Sequence, residues 1–390
     1  MNSDVTNFTK IRSIMEEVID HGVGNLVPAL ELLLNEAMKL ERDMAVGAKS
    51  YERTEHRRGY ANGFKERNYQ SSVGSLKLQV PQARGLSFYP KCLEKGERSE
   101  KALKLAIAEM YVQGVSTRKV SAITEELCGM EVSSSQVSSC AKLLDEELDK
   151  FRSRPLTGKY AYVYLDAEYE KIRHDGSVID MATLIAVGIN EKGRREVLSV
   201  SSRLSEAEVH WREFLLEMQK RGLSGLRLII SDAHEGLKAA RRAVFPSVKW
   251  QRCQFHMSQN AQSYCPKKSM REDIALSMRK IFQSPDYETA QEQKRKTIEK
   301  YAISAPQFTN WLENNIEEGL TCFSFPENHH KRIRTTNGLE RVNREIKKRT
   351  RVVTLFPNVA SSERLITSVL QGIHEEWASG SQYLDMNLLK

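Results

Sequence analysis

The feature that most restricts this chain is a succession of apolar segments between residues 161 and 231. Residues 161–167 are apolar or aromatic up to a single acid, and residues 182–189 and 196–200 repeat that character. Their length and composition predict three strands. Residues 206–221 then carry apolar positions at helical spacing, and Gly225 opens a fourth predicted strand over 226–231. A helix is predicted over 235–244.

Three strands, a helix and a fourth strand form the opening order of a ribonuclease-H-like α/β fold. Residues 257–330 interrupt it with polar, helical sequence dotted by Tyr264, Phe282, Tyr287, Tyr301, Phe308 and Trp311. This predicts an all-helical insertion whose aromatics form its core, with base-stacking platforms as the alternative reading. Upstream, Leu26, Leu30, Leu33, Ala37, Leu40 and Met44 mark an amphipathic helix over 26–46, for packing or for a partner. Residues 51–104 hold twelve Lys/Arg against six Asp/Glu, and Val73, Leu76, Leu78 and Val80 alternate as in short strands. Such a module suits DNA contact, and equally a solvated basic surface. Three helices follow, over 101–112, 116–127 and 133–151. The Gly129-containing link at 128–132 resembles a helix-turn-helix that would turn Ser134, Ser135, Gln136 and Ser139 toward a major groove. An ordinary helical hairpin gives the same pattern. Arg154-Pro155-Leu156 marks a boundary.

The expected architecture is α+β and multidomain. It comprises an N-terminal helical region (1–50), a small basic β-containing module (51–100) and a helix-turn-helix-like DNA-binding region (101–155). A first catalytic part (156–256), the helical insertion (257–330) and a second catalytic part (331–390) complete it.

Two acids close predicted strands: Asp166 after Val163-Tyr164-Leu165, and Asp232 after Ile229-Ile230-Ser231. A lone acid there is ordinarily a turn or cap residue. Two in one α/β unit point to an active site, because such sites gather at the carboxyl ends of strands. Glu340 follows Asn337 by three residues, the spacing of a capping box. Yet Glu340, Asn343, Arg344, Lys347 and Arg351 also share a helical face beside the stripe Leu339, Val342, Ile346 and Val353. One acid in a row of cations suits metal-assisted chemistry on a phosphate backbone, and three carboxylates suffice for magnesium. Glu168, on the strand face of Asp166, is an auxiliary acid or a surface residue. Cys253 and His256 have one half of a zinc spacing, but only Cys265, His329 and His330 could complete it.

Charge supports a polyanionic partner. The net charge is +8, and between His329 and Arg351 nine basic residues face two acids. Six scattered cysteines do not suggest a disulfide framework. No leader or membrane-length apolar run is expected, so the predicted location is the cytoplasm.

Several stretches resemble the Mutator-type transposases of bacterial insertion sequences. They are Met110-Tyr-Val-Gln-Gly-Val-Ser-Thr-Arg118, Asp166-Ala167, Arg221-Gly-Leu, Ser231-Asp232, Phe245-Pro246, Gln251-Arg-Cys-Gln-Phe-His256, Arg334 through Arg349, and Leu355-Phe-Pro-Asn358. The resemblance runs from about Arg58 to Trp377. It implies an acidic triad of Asp166, Asp232 and Glu340 holding Mg2+, with Mn2+ as a substitute. It further implies a Cys253/His256 motif that matters for function without binding metal. The cationic face itself is expected to grip DNA phosphates through Arg341, Arg344, Lys347, Lys348 and Arg351. Ala233 departs from the glycine frequent after the second acid. The implied function is binding of terminal inverted repeats, then cleavage and strand transfer into target DNA. Joining two element ends calls for at least two subunits, so a homodimer is expected, away from membranes. The alternative is a non-catalytic DNA-binding regulator of transposase descent.

Overall fold

Residues 26–48, 52, 57–71, 73–93, 101–112, 115–128 and 131–389 are described by the computed structural model, and they divide into two units, 1–144 and 145–390. The predicted 1–50 region is therefore seen only from Leu26.

In the first unit, helix α1 (Leu26–Val46) lies on a hairpin of β1 (Tyr60–Ser71) and β2 (Gly74–Arg84). The alternation of β2 buries Leu76, Leu78 and Val80 against Met38, Leu30 and Leu34 of α1. Glu31 and Asn35 of α1 accept hydrogen bonds from the backbone N–H of Lys77 and Gln79 at 2.5 and 2.7 Å, which satisfies that strand edge. This docking rotates α1 away from the predicted stripe, and Leu33, Leu40 and Met44 are exposed. Helices α2 (Lys101–Val112), α3 (Thr117–Cys128) and α4 (Ser134–Ala141) enclose Leu103, Ile107, Val120, Val132 and Val137. Of the expected α3–α4 link, Gly129 and Met130 lie outside the described residues.

The single helix predicted over 133–151 is divided. A 3₁₀ turn at Lys142–Leu144 ends α4, and α5 (Asp145–Ser153) belongs to the second unit. There Arg364 donates to both oxygens of Asp145 at 2.5 and 2.8 Å. That bidentate pair draws the boundary to Asp145, ahead of the expected Arg154-Pro155-Leu156 turn.

The second unit is built on strands β3 (Tyr162–His174), β4 (Ser177–Ile189), β5 (Arg195–Arg203), β6 (Leu228–Ser231) and β7 (Lys249–Arg252), in the order β5-β4-β3-β6-β7. The first three are antiparallel, and β6 and β7 run parallel to β3. β3 and β4 run well beyond their predicted ends because Asp175 (φ 47°) and Gly176 (φ 80°) supply the two positive-φ residues of a tight hairpin turn. β7 carries no strand signal in the sequence: it is a four-residue edge strand that begins with Lys249 and ends with Arg252.

Helices cover both faces of this sheet. On one, Trp211, Phe214, Leu215 and Met218 of α6 (Glu208–Lys220) and Leu237 and Ala240 of α7 (Glu235–Val244) pack on Val163, Leu165, Leu184 and Ile229. In chain order, β7 is followed by a helical stretch of α8 (Gln254–Ser263), α9 (Arg271–Phe282), α10 (Tyr287–Tyr301), α11 (Pro306–Asn315) and α12 (Glu327–Ile333). It has its own core of Met257, Met278, Phe308, Trp311 and Leu312. Phe282, Tyr301, Phe308 and Trp311 are buried there, whereas Tyr264 and Tyr287 reach solvent. On the opposite face of the sheet, α13 (Asn337–Val353) and α14 (Val359–Ser379) bring Leu339, Val342, Ile346, Ile366 and Leu370 onto Tyr162, Tyr164, Leu228 and Ile230.

Candidate active site

Asp166 sits inside β3, not at its end. The parallel neighbour β6, however, pairs with β3 only from Tyr162↔Leu228 to Tyr164↔Ile230. Two residues further on along each chain come Asp166 and Asp232, so both acids emerge side by side where β6 stops. Alternation places them on the face of Tyr162, Tyr164, Leu228 and Ile230, the face covered by α13. Burial first, and the Asp232 carboxylate second, push the Asp166 carboxyl up to about 7; Glu168 adds to the rise, while the Ala167 N–H and His256 oppose it. Asp232 is not the cap of α7. That position belongs to His234, whose N–H donates to Asp232 Oδ1 at 3.3 Å.

Glu340 arrives on α13. Its capping-box reading fails, because the residue capping α13 is Thr336 and the third helical position is therefore Leu339. Glu340 lies one residue deeper, and its Oε1 is buried without a hydrogen-bond partner among the described residues. The rest of that helical face runs along β3. Asn343 Nδ2 donates to Asp166 Oδ2 at 2.9 Å, Lys347 pairs with Glu168 at 2.5 Å, and Thr350 donates to Glu170 at 2.9 Å. Steps of four and three on the helix thus match steps of two on the strand. The expected shared face of Glu340 with Arg344 and Arg351 is corrected by this packing. Positions 340, 343, 347 and 350 turn to the strand, and Arg341, Arg344, Lys348 and Arg351 turn to solvent. Lys348 bonds Glu345 at 2.6 Å.

Both ends of α13 are tied down. Beyond it, Phe356 N donates to Lys171 O and Arg173 N donates to Phe356 O, each at 2.9 Å. At its start, Cys253 Sγ accepts from Thr336 N and Thr336 Oγ1 at 3.4 and 3.3 Å. Cys253 N in turn donates to Ser231 O at 2.7 Å, beside Asp232. The neighbours of Cys253 fasten the helical stretch: Gln251 Nε2 and Gln254 Nε2 both donate to Gly319 O, and Arg252 pairs with Glu318 at 3.2 Å. The Cys/His motif is thereby a junction of sheet, helical stretch and Glu340-bearing helix.

His256, one turn along α8, faces the acids. The Cys253 sulfur is the largest influence raising its imidazole to about 9; burial opposes, and Asp166 and Asp232 add to the rise. Burial by itself would raise the Cys253 thiol, but His256 and Thr336 outweigh it and hold the thiol below its ordinary value. His256 Nδ1 is buried without a hydrogen-bond partner among the described residues. The zinc partners are committed elsewhere. His329 bonds the Tyr162 hydroxyl and Asp385 O, His330 bonds Phe325 O, and Cys265 packs on the helical core.

Among the described residues, no three His, Cys, Asp or Glu side chains stand together as a ready metal-ligand group. The structure brings Asp166 and Asp232 together and sets Glu340 one turn from the amide that holds Asp166. Gln136 lies in the other unit, exposed on α4. Its Oε1 accepts from Ser133 N at 2.7 Å in a capping box, leaving only its amide nitrogen free for another contact. Two residues of the site had no role assigned by sequence reasoning: Asn343, placed only on the face of Glu340, and Glu206. Asn343 is distinguished only by a polar side chain three positions after Glu340. Glu206, before α6, lies 4.0 Å from His234; burial and then Asp232 hold its carboxyl above the ordinary range, with His234 opposing.

The model of the family described as Transposase, Mutator family, matches residues 3–380. The chain belongs to the Mutator family of transposases. Its relatives include the transposase of insertion sequence IS406 from Burkholderia multivorans, 49% identical over 95% of this chain and 96% of that one. The transposase of IS256 in transposon Tn4001 from Staphylococcus aureus is 38% identical over 96% and 95%. That of IS1081 from Mycobacterium tuberculosis is 36% identical over 90% and 85%. Among solved structures, a simian T-cell lymphotropic virus intasome in complex with PP2A regulatory subunit B56 gamma overlays at 10% identity with a TM-score of 0.19, covering 50% of this chain and 67% of that one. An overlay that loose carries no argument. No helix of this transposase, among the described residues, is long and apolar enough to cross a membrane.

Proposed function

We propose that this transposase binds the terminal inverted repeats of its element and catalyses cleavage and strand transfer with Asp166, Asp232 and Glu340. The observation that carries the reading is the placement of Asp166 and Asp232 two residues past the last paired residues of adjacent parallel strands, on the face covered by the helix that bears Glu340. We read the sheet as ribonuclease-H-like, since its strand order and its antiparallel-then-parallel pattern agree with that fold.

The residues suit a divalent cation. The Asp232 carboxylate raises Asp166 more than His256 lowers it, and Glu340 Oε1 is a buried acceptor without a hydrogen-bond partner among the described residues. Magnesium needs only one or two protein carboxylates beside water and phosphate oxygens, so a complete protein cage is not required. Asp166, Asp232 and Glu340 would hold Mg2+, or Mn2+ in its place, which when bound activates an oxygen nucleophile and offsets charge on the leaving oxygen. The chain's own residues do the rest. Asn343 and Ala167 N fix the Asp166 carboxylate, and the Cys253–Thr336 contacts fix the start of α13. Arg341, Arg344 and Arg351 are exposed without an ion pair among the described residues, and they would grip phosphates together with Lys348 and, once freed from Glu168, Lys347. In the first unit, α3 and α4 would act as a helix-turn-helix, with Ser134, Ser135, Gln136 and Ser139 exposed on α4. Joining two element ends calls for two copies of the chain, so a homodimer is proposed on DNA.

Labelled element ends incubated with the purified chain and Mg2+ should give nicked and then joined products. Asp166→Ala should retain repeat binding and lose both products; cleavage by that variant would remove Asp166 from the mechanism.

A further inference from the structure

Asn343 is only 6% exposed. A primary amide so buried is costly unless both its ends are used. Nδ2 donates to Asp166 Oδ2 at 2.9 Å. With Asp166 ionised, as it is when a cation is held, its carboxylate can only accept, which turns the amide nitrogen of Asn343 toward it. Oδ1 is then the idle end, buried and without a hydrogen-bond partner among the described residues. Glu340 Oε1, one helical turn earlier on the same face, is in the same condition. One unsatisfied acceptor thus sits on the side chain that bonds Asp166, and a second lies one helical turn away. Buried acceptors left without a donor are satisfied by a cation, and an amide oxygen is a suitable hard ligand for one.

We propose that Asn343 Oδ1 is a further, neutral ligand of the divalent-cation site, while its Nδ2 orients Asp166. A neutral ligand raises affinity without adding negative charge where a DNA phosphate must approach. The inference rests on the metal reading of the three acids and goes beyond it in naming a ligand outside the triad.

Mn2+ binding to the full-length chain, followed by loss of the free-ion electron paramagnetic resonance signal, tests it without reference to turnover. Asn343→Ala and the bulkier Asn343→Leu should both weaken Mn2+ binding by roughly ten- to a hundredfold. Asn343→Asp keeps an oxygen at the position and should bind at least as tightly as wild type. A role confined to the hydrogen bond to Asp166 predicts the reverse order, with Asn343→Asp worst, since it substitutes a repelling carboxylate for a donor. Melting curves identify any variant that has lost its fold, and the leucine variant preserves the buried volume if alanine does not fold. Wild-type affinity in Asn343→Ala, or weaker binding in Asn343→Asp than in Asn343→Ala, overturns the assignment alone. Failure of the wild-type chain to bind Mn2+ overturns the metal reading and the assignment together.

Discussion

Asp166→Asn should make the metal-free chain more stable at pH 8. In the folded chain the Asp166 carboxyl is raised from 3.8 to about 7, by burial and then by Asp232. In the unfolded chain it ionises at its ordinary value. Between the two, the folded state holds a proton that the unfolded state has lost, so stability falls as pH climbs from about 4 to about 7 and stays low above. A rise of about three pH units corresponds to about 4 kcal/mol at most. Asparagine removes that penalty but gives up one of the two hydrogen bonds the carboxylate accepts, at about 1 kcal/mol. With relaxation of a partly solvated site, a net gain of about 1–2 kcal/mol is expected at pH 8. For a unit of this size that is a melting temperature higher by about 2–8 °C. Scanning calorimetry in EDTA at pH 8 and pH 5 measures it. At pH 5 wild-type Asp166 keeps its proton when folded, and most of the advantage should vanish. A variant that melts no higher than wild type at pH 8, or whose gap is equal at both pH values, refutes the electrostatic account of the Asp166–Asp232 pair.

Cys253→Ala leaves Thr336 N–H and O–H without their acceptor at the start of α13, so its urea midpoint should fall by the equivalent of about 1–3 kcal/mol, with Cys253→Ser losing less. Arg341→Ala and Arg344→Ala should each lower the slope of log affinity against log salt by about one in anisotropy titrations on repeat DNA; an unchanged slope would take that residue off the phosphates. Gly236→Ala places a Cβ 2.2 Å from Glu206 O and 2.8 Å from Glu208 N. Backbone cannot yield there cheaply, and a loss of about 1–3 kcal/mol is expected in urea unfolding.

The strands of the second unit were legible because apolar runs 161–167, 182–189 and 226–231 have no other good burial. Their ends were not, since the Asp175-Gly176 turn extends β3 and β4 past the apolar stretch into residues that read as surface. Asp166 and Asp232 were visible as acids after apolar runs, but their partnership depends on register, which no local pattern carries. Glu340 was ambiguous between cap and site until Thr336 took the cap. The helical face around it was read one position too wide: Arg344 and Arg351 share the period but not the packing. The Cys253 motif had a spacing that suggested metal, whereas its sulfur accepts from a residue 83 positions away. On α1, two apolar stripes compete, and the polar neighbours Glu31 and Asn35 decide which one meets the hairpin.

Convergence of the three acids can be mapped directly by replacing Mg2+ with Fe2+ and letting locally generated hydroxyl radicals cut the backbone of the full-length chain bound to element-end DNA. The account predicts cuts beside Asp166, Asp232 and Glu340, all suppressed by excess Mg2+ and all lost in Asp232→Ala. Cuts beside Asp166 and Asp232 with none near Glu340, or a Glu340 cut that persists in Asp232→Ala, would contradict a single cation site shared by the three.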